Sequence, residues 1–159
     1  MEKRKWPTFV LFAVIAAAVY FVNVEVQTWL GEKALAESGL TIHSLDEAMA
    51  IAQKKGENGP LILADLSAIW CPTCRKLDKT VLSDKGVQEV INKGFIFARV
   101  EYESDEGEAF KERYGLSGFP NLLILDAQGE LIRILTLDFD PKAFTNQLLT
   151  VQVGDLRSE

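Results

Sequence analysis

The chain has 159 residues, 48% of them hydrophobic, and a formal net charge of −6, which at roughly 100–200 residues per domain allows one domain plus extras. Lys3, Arg4 and Lys5 against Glu2 give the first 24 residues +2, so the remainder carries −8; with no grouped Lys and Arg it excludes a nucleic-acid binder, and its acidity favours solubility without naming a partner. The two cysteines stand three positions apart, which excludes a disulfide-stapled scaffold because so short a loop stabilises a fold little.

Residues Trp6 to Val24, WPTFVLFAVIAAAVYFVNV, carry no charge. As a helix they reach about 28 Å, close to the roughly 30 Å hydrocarbon core of a bilayer. The basic triplet before them predicts a cytoplasmic N-terminus, with everything after Val24 across the membrane. Trp6, Tyr20 and Trp29 suit interfacial positions. The alternative is a cleaved signal peptide: Ala16-Ala17-Ala18 offers a small-residue site, but Val19-Tyr20-Phe21-Val22 follow it directly. Both readings export the domain; the anchor is preferred. The organisation is then an anchor at 1–24, a spacer with some helix at 25–39, and a domain at 40–159.

Within that domain, Leu40 to His43 reads as a short strand. Ser44 and Glu47 form a capping box for a helix with Leu45, Ala48, Met49 and Ala52 on one face, ended by Gly56 to Pro60. Leu61 to Ala68 is a buried strand that runs into Trp70-Cys71-Pro72-Thr73-Cys74, where a helix begins with Pro72 in its first turn and runs towards Leu82. Ser83 or Asp84 caps an amphipathic turn carrying Val87, Val90 and Ile91. Phe95 to Tyr102 is a second strand and Asp105 to Tyr114 a polar helix. The loop Gly115 to Pro120 leads to a strand at Asn121 to Leu125, the turn Asp126 to Gly129, and a hairpin partner at Leu131 to Leu137. Asp140-Pro141 opens a helix from Lys142 to about Val151. This order fits an α/β domain, a central mixed sheet with helices on both faces.

A Cys-x-x-Cys pair where a buried strand meets a helix has a chemical reason to be there. Unpaired amides and the helix dipole favour a thiolate at Cys71, the exposed nucleophile; Cys74, one turn deeper, resolves the mixed disulfide. The pair cycles between dithiol and disulfide without a bound cofactor. Half of a zinc site is the competing reading, but tetrahedral zinc needs four ligands, and beyond the pair the chain offers one histidine, His43, and no cysteine.

Residues 40 to 152 resemble the thioredoxin family. The likeness rests on Trp70-Cys71-Pro72-Thr73-Cys74, on Asp65 six residues before Cys71, on Tyr114-Gly115-Leu116-Ser117-Gly118-Phe119-Pro120, and on the Asp126 to Gly129 turn between two strands. It implies a thioredoxin fold, which the apolar stretch before it sets behind one N-terminal transmembrane helix. It implies a cis Pro120 facing the dithiol, with Phe119, Pro120 and Trp70 at the substrate-binding surface. It also implies a buried Asp65 that accepts the Cys74 proton, a role weakened if Arg99, where the family often has lysine, pairs with it.

The absence of histidine between the cysteines leans towards a disulfide reductase, with an isomerase, an oxidase, or a non-catalytic client- or metal-binding module as alternatives. Pro72-Thr73 and Arg75 resemble the thioredoxin-like proteins of cytochrome c maturation. Those usually carry an insertion for which the 46-position step from Cys74 to Pro120 leaves little room. Ser44 to Lys55 and Val81 to Asp84 look closer to the terminal domain of membrane thiol–disulfide interchange proteins. The expected partners are protein disulfides (apocytochrome c or other exported thiol proteins), a membrane electron donor and the membrane itself. The expected place is the inner membrane, with the domain in the periplasm or another extracytoplasmic space.

Overall fold

The computed structural model describes residues 8–56 and 59–155; the basic triplet and Trp6 lie outside them. One helix, α1, runs unbroken over Thr8–Ala36. The stretch Phe9–Ala34 is long and apolar enough to cross a membrane, and its most apolar part is not buried against the rest of the chain. It is free of charge only as far as Val24. The expected spacer is therefore mostly a continuation of α1, and Ala34 within it is buried.

The expected strand at Leu40 to His43 reduces to a bridge between His43 and Ala98. There the His43 amide donates to the Phe97 carbonyl and the His43 carbonyl accepts from the Arg99 amide, and the next residue, Ser44, already caps α2. Helix α2 (Leu45–Lys54) begins on the expected capping box, with the Ser44 side chain accepting from the Glu47 amide and the Glu47 side chain accepting from the Ser44 amide. Strand β1 (Leu61–Ser67) leads through Cys71 into α3 (Pro72–Leu77). A π-helical stretch, Asp78–Leu82, extends α3 and was not expected. Asp84 caps α4 (Lys85–Gly94), accepting from Gly86 and Val87.

Strand β2 (Phe95–Glu101) and α5 (Asp105–Tyr114) follow. Helix α5 ends on Gly115 at φ 64°, a left-handed conformation that glycine adopts without steric cost. Strands β3 (Asn121–Leu125) and β4 (Leu131–Ile134) form the hairpin, and α6 (Pro141–Asp155) closes the described chain. Strand β4 is shorter than expected because at Thr136 the backbone N–H and C=O pair with the Gln147 side chain of α6 instead of a strand.

The four strands lie in the order β2-β1-β3-β4, with β1 parallel to β2 and the other pairs antiparallel. Successive side chains on a strand alternate faces, and the core follows that alternation. Leu61 and Leu63, Phe95 and Phe97, and Leu122 and Ile124 meet Leu77, Val81, Leu82, Val87, Ile91 and Phe144 from the helices on one side. Ile62, Ala64, Leu66, Ala98 and Leu123 meet Leu45, Ala48, Ala52 and Phe110 on the other. By the same parity Asp65 and Ser67, and Arg99 opposite Asp65 in register, face the dithiol helix.

Candidate functional site

Cys71 is the N-cap of α3, and its sulfur accepts the Cys74 amide at 3.3 Å. Pro72 at the first helical position brings no amide that would need a partner. The helix thus aims a backbone N–H at the first sulfur, as the sequence reading requires. Exposure differs from that reading. Cys71 is only 5% exposed and Cys74 1%, because Trp70, Tyr102 and Phe119 pack over both cysteines and Ala68. Phe119 stands edge-on to Trp70 with centroids 5.4 Å apart and tilted against Tyr102 at 4.4 Å. The Trp70 indole donates to Glu103 at 3.1 Å, and Lys111 lies over the Tyr102 ring at 3.9 Å. Tyr102, which the sequence marked only as a strand end, completes this aromatic cover.

The Phe119–Pro120 peptide bond is cis. Glu101 accepts the Ile69 amide with both oxygens, at 3.3 and 3.2 Å, and so fixes the turn before Trp70. Its carboxyl is pushed up by partial burial.

Beneath the dithiol lies a buried charge cluster. Arg99 Nη2 is 3.0 Å from Asp65 Oδ2 and also contacts Asp78 Oδ1, and all three side chains are 7% exposed or less. Burial pushes the Asp65 carboxyl up to about 6; Arg99 pulls it back, and Asp78 and Glu101 push it further up. The ion pair lacks hydrogen-bond alignment, and neither Asp65 oxygen accepts a hydrogen bond among the described residues. A buried carboxylate that accepts no hydrogen bond holds its proton to higher pH than a solvated one, even with Arg99 beside it.

Burial and the neighbouring Cys71 drive the Cys74 thiol up to about 12, and Ser67 and the Ala68 backbone pull the other way. The Ser67 oxygen accepts from Arg99 Nη1 at 3.2 Å. Its own hydroxyl proton is then free to point at the Cys74 sulfur, which links that sulfur to the Arg99 cation.

Asp78 is the residue that sequence reasoning missed. It stands four positions after Cys74, one turn along the same face, and a charge between Leu77 and Val81 in an apolar stripe was the available signal. Among the predicted residues, Cys71, Cys74, Trp70 and Phe119 share one cluster; Asp65 is buried beneath it, and Arg99 pairs with Asp65 as the sequence reading weighed.

A dithiol at the head of a helix, a cis Phe119–Pro120 bond whose phenylalanine packs against it, and a buried acid below make up a thioredoxin-type site. The profile of the thioredoxin-like family matches residues 41–127, more than half of the sequence, and the chain belongs to that family. It is 32% identical over 135 residues to the thiol:disulfide interchange protein DsbD of Salmonella typhi, a match covering 80% of this chain and 23% of that protein. The chain thus spans about a quarter of the length of the curated DsbD relatives it matches. A thioredoxin from Thermus thermophilus superposes with a TM-score of 0.64 at 27% identity, over 73% of this chain and 89% of that one. The C-terminal domain of Neisseria meningitidis DsbD in its oxidised form shares the fold, with a TM-score of 0.57 at 21% identity over 69% and 98% of the respective chains.

Proposed function

We propose that the chain is an exported, membrane-tethered protein-disulfide reductase that works through a Cys71/Cys74 dithiol cycle. The observation that carries this reading is the Cys71 sulfur at the head of α3, accepting the Cys74 amide. A thiolate there attacks one sulfur of a client disulfide, whose other sulfur leaves as a thiol. Cys74 gives up its proton and attacks Cys71, which releases the client's second thiol and leaves the Cys71–Cys74 disulfide. Asp65, ionised above about pH 6, is the proton acceptor for that second step. The cis Pro120 leaves the Phe119 backbone to pair with an extended client segment, while Trp70 shields the sulfurs.

Two features support the direction of electron flow. No histidine stands between the cysteines to stabilise a Cys71 thiolate strongly and make the disulfide a strong oxidant, and Asp65 is present. Electrons come from a membrane partner, and clients are exported thiol proteins such as apocytochrome c. Helix α1 tethers the domain, with Lys3, Arg4 and Lys5 on the cytoplasmic side.

The test is insulin reduction by the pre-reduced full chain in detergent. The protein should reduce insulin well above background, and Cys71→Ser should return the rate to background. An undiminished rate in that variant would rule the reading out.

A further inference from the structure

The half of α1 that follows the uncharged segment is built into the active-site loop. A methyl group on Gly31 would lie 1.9 Å from the Ile69 carbonyl oxygen and 2.9 Å from its carbon. The helix backbone therefore rests directly on the residue two before Cys71. Arg75, the residue after Cys74, reaches across the contact: its Nη1 donates to the Gln27 carbonyl at 3.2 Å and to the Trp70 carbonyl at 3.3 Å. Ala34, one turn further on, is 1% exposed. On the outward side Val26 and Trp29 remain 47% and 59% exposed, apolar side chains at the level where a helix leaves a bilayer.

No break separates this docked half from the apolar half, since α1 is one helix from Thr8 to Ala36. The first charge after the apolar stretch is Glu25, and Gly31 lies six residues on, about 9 Å along the axis at 1.5 Å per residue. Headgroups add only about 5–8 Å beyond the hydrocarbon on each side.

We infer that α1 acts as a strut as well as a tether, holding the dithiol at one fixed height just outside the headgroups, so that its exchange partner is a cysteine pair of an integral membrane protein at that height. This rests on the reading of α1 as a membrane anchor. A flexible tether of ten residues would let the domain wander with a root-mean-square reach of about 17 Å; a continuous docked helix does not. Fixed height raises the effective concentration of the dithiol for a partner at matching level and lowers it for one elsewhere. Gly31, Gln27 and Arg75 are then positioning residues.

The test uses the pre-reduced full chain in phosphatidylcholine–phosphatidylglycerol vesicles. The probes are transmembrane peptides that carry a cystine loop on stalks of increasing length. In each exchange the probe's S–S bond breaks as the Cys71–Cys74 bond forms, and the dithiol's two protons end on the probe's thiols. The rate plotted against stalk length should peak at the shortest stalks and fall about tenfold on stalks about 30 Å longer. A ten-residue Gly-Ser insertion between Val24 and Glu25 should flatten that profile and leave the rate on a soluble cystine peptide unchanged. Gly31→Ala, which adds one methyl group at the contact, should flatten it too. A flat profile for the unmodified chain, or a peak that survives the insertion, would overturn the strut. Failure of the chain to float with the vesicles would instead overturn the anchor reading, and the strut with it.

Discussion

Replacing Arg99 with methionine should cost the fold about 3–5 kcal/mol, a large share of the roughly 5–15 kcal/mol that holds a domain together. Methionine keeps much of the apolar stem, so the loss is chiefly that of the cation. Asp65 and Asp78 are both buried and both contact the same guanidinium nitrogen. Without it, two carboxylates face each other in a medium that solvates neither. Protonation of Asp65 relieves the conflict, so the cost should be largest near pH 8 and shrink towards pH 5. Urea unfolding of the full chain in detergent at both pH values measures this. An equal cost at the two would show that Arg99 acts through packing alone.

Asp65→Asn should move stability the other way. The folded carboxyl titrates at about 6 against 3.8 for the free side chain. Between those values the native state binds more protons than the unfolded state, so stability falls as pH rises. The contribution is fully present below about pH 3.8 and lost as pH passes through about 6; two units correspond to about 3 kcal/mol. Asparagine carries no charge to bury, so the variant should unfold at higher urea than the parent at pH 7.5 and lack the slope between pH 4 and 6. The same change removes the proton acceptor, and release of client from the mixed disulfide should slow about 100-fold. A variant no more stable at pH 7.5 would contradict the buried-charge account. A variant that releases client at the parental rate would contradict the proposed role of Asp65.

These two predictions rest on residues of unequal legibility. Asp65 and Arg99 were legible through the likeness to the thioredoxin family, and the fold supplies the reason they meet: each continues the run of core positions on its strand, Leu61-Leu63 and Phe95-Phe97, and parallel register puts them side by side. The dithiol was legible because strand, Cys-x-x-Cys and helix follow without a gap.

Asp78 was legible only as a charge in an apolar stripe, not as a partner of Arg99. It opens the π-helical stretch Asp78–Leu82, whose wider turns shift which residues face inward, so a regular helical pattern does not predict its partner. The strong burial of Cys71 was hidden as well, since its cover comes from Trp70, Tyr102 and Phe119 on three separate segments.

The largest difference concerns residues 25 to 36. Glu25, Glu32 and Lys33 make that stretch look solvated. The contact it makes relies on Gly31, which has no side chain, on the small Ala34, and on Arg75 from the dithiol helix. Sequence periodicity detects apolar stripes and has little to report where two backbones touch.

Trapping clients from cells that carry the full chain tests the central claim, a Cys71 nucleophile resolved by Cys74, most directly. Cys74→Ser should accumulate mixed disulfides through Cys71, seen as higher bands on non-reducing gels that collapse with reductant, and Cys71→Ser should give none. Equal trapping by both variants, or none by Cys74→Ser, would contradict the account.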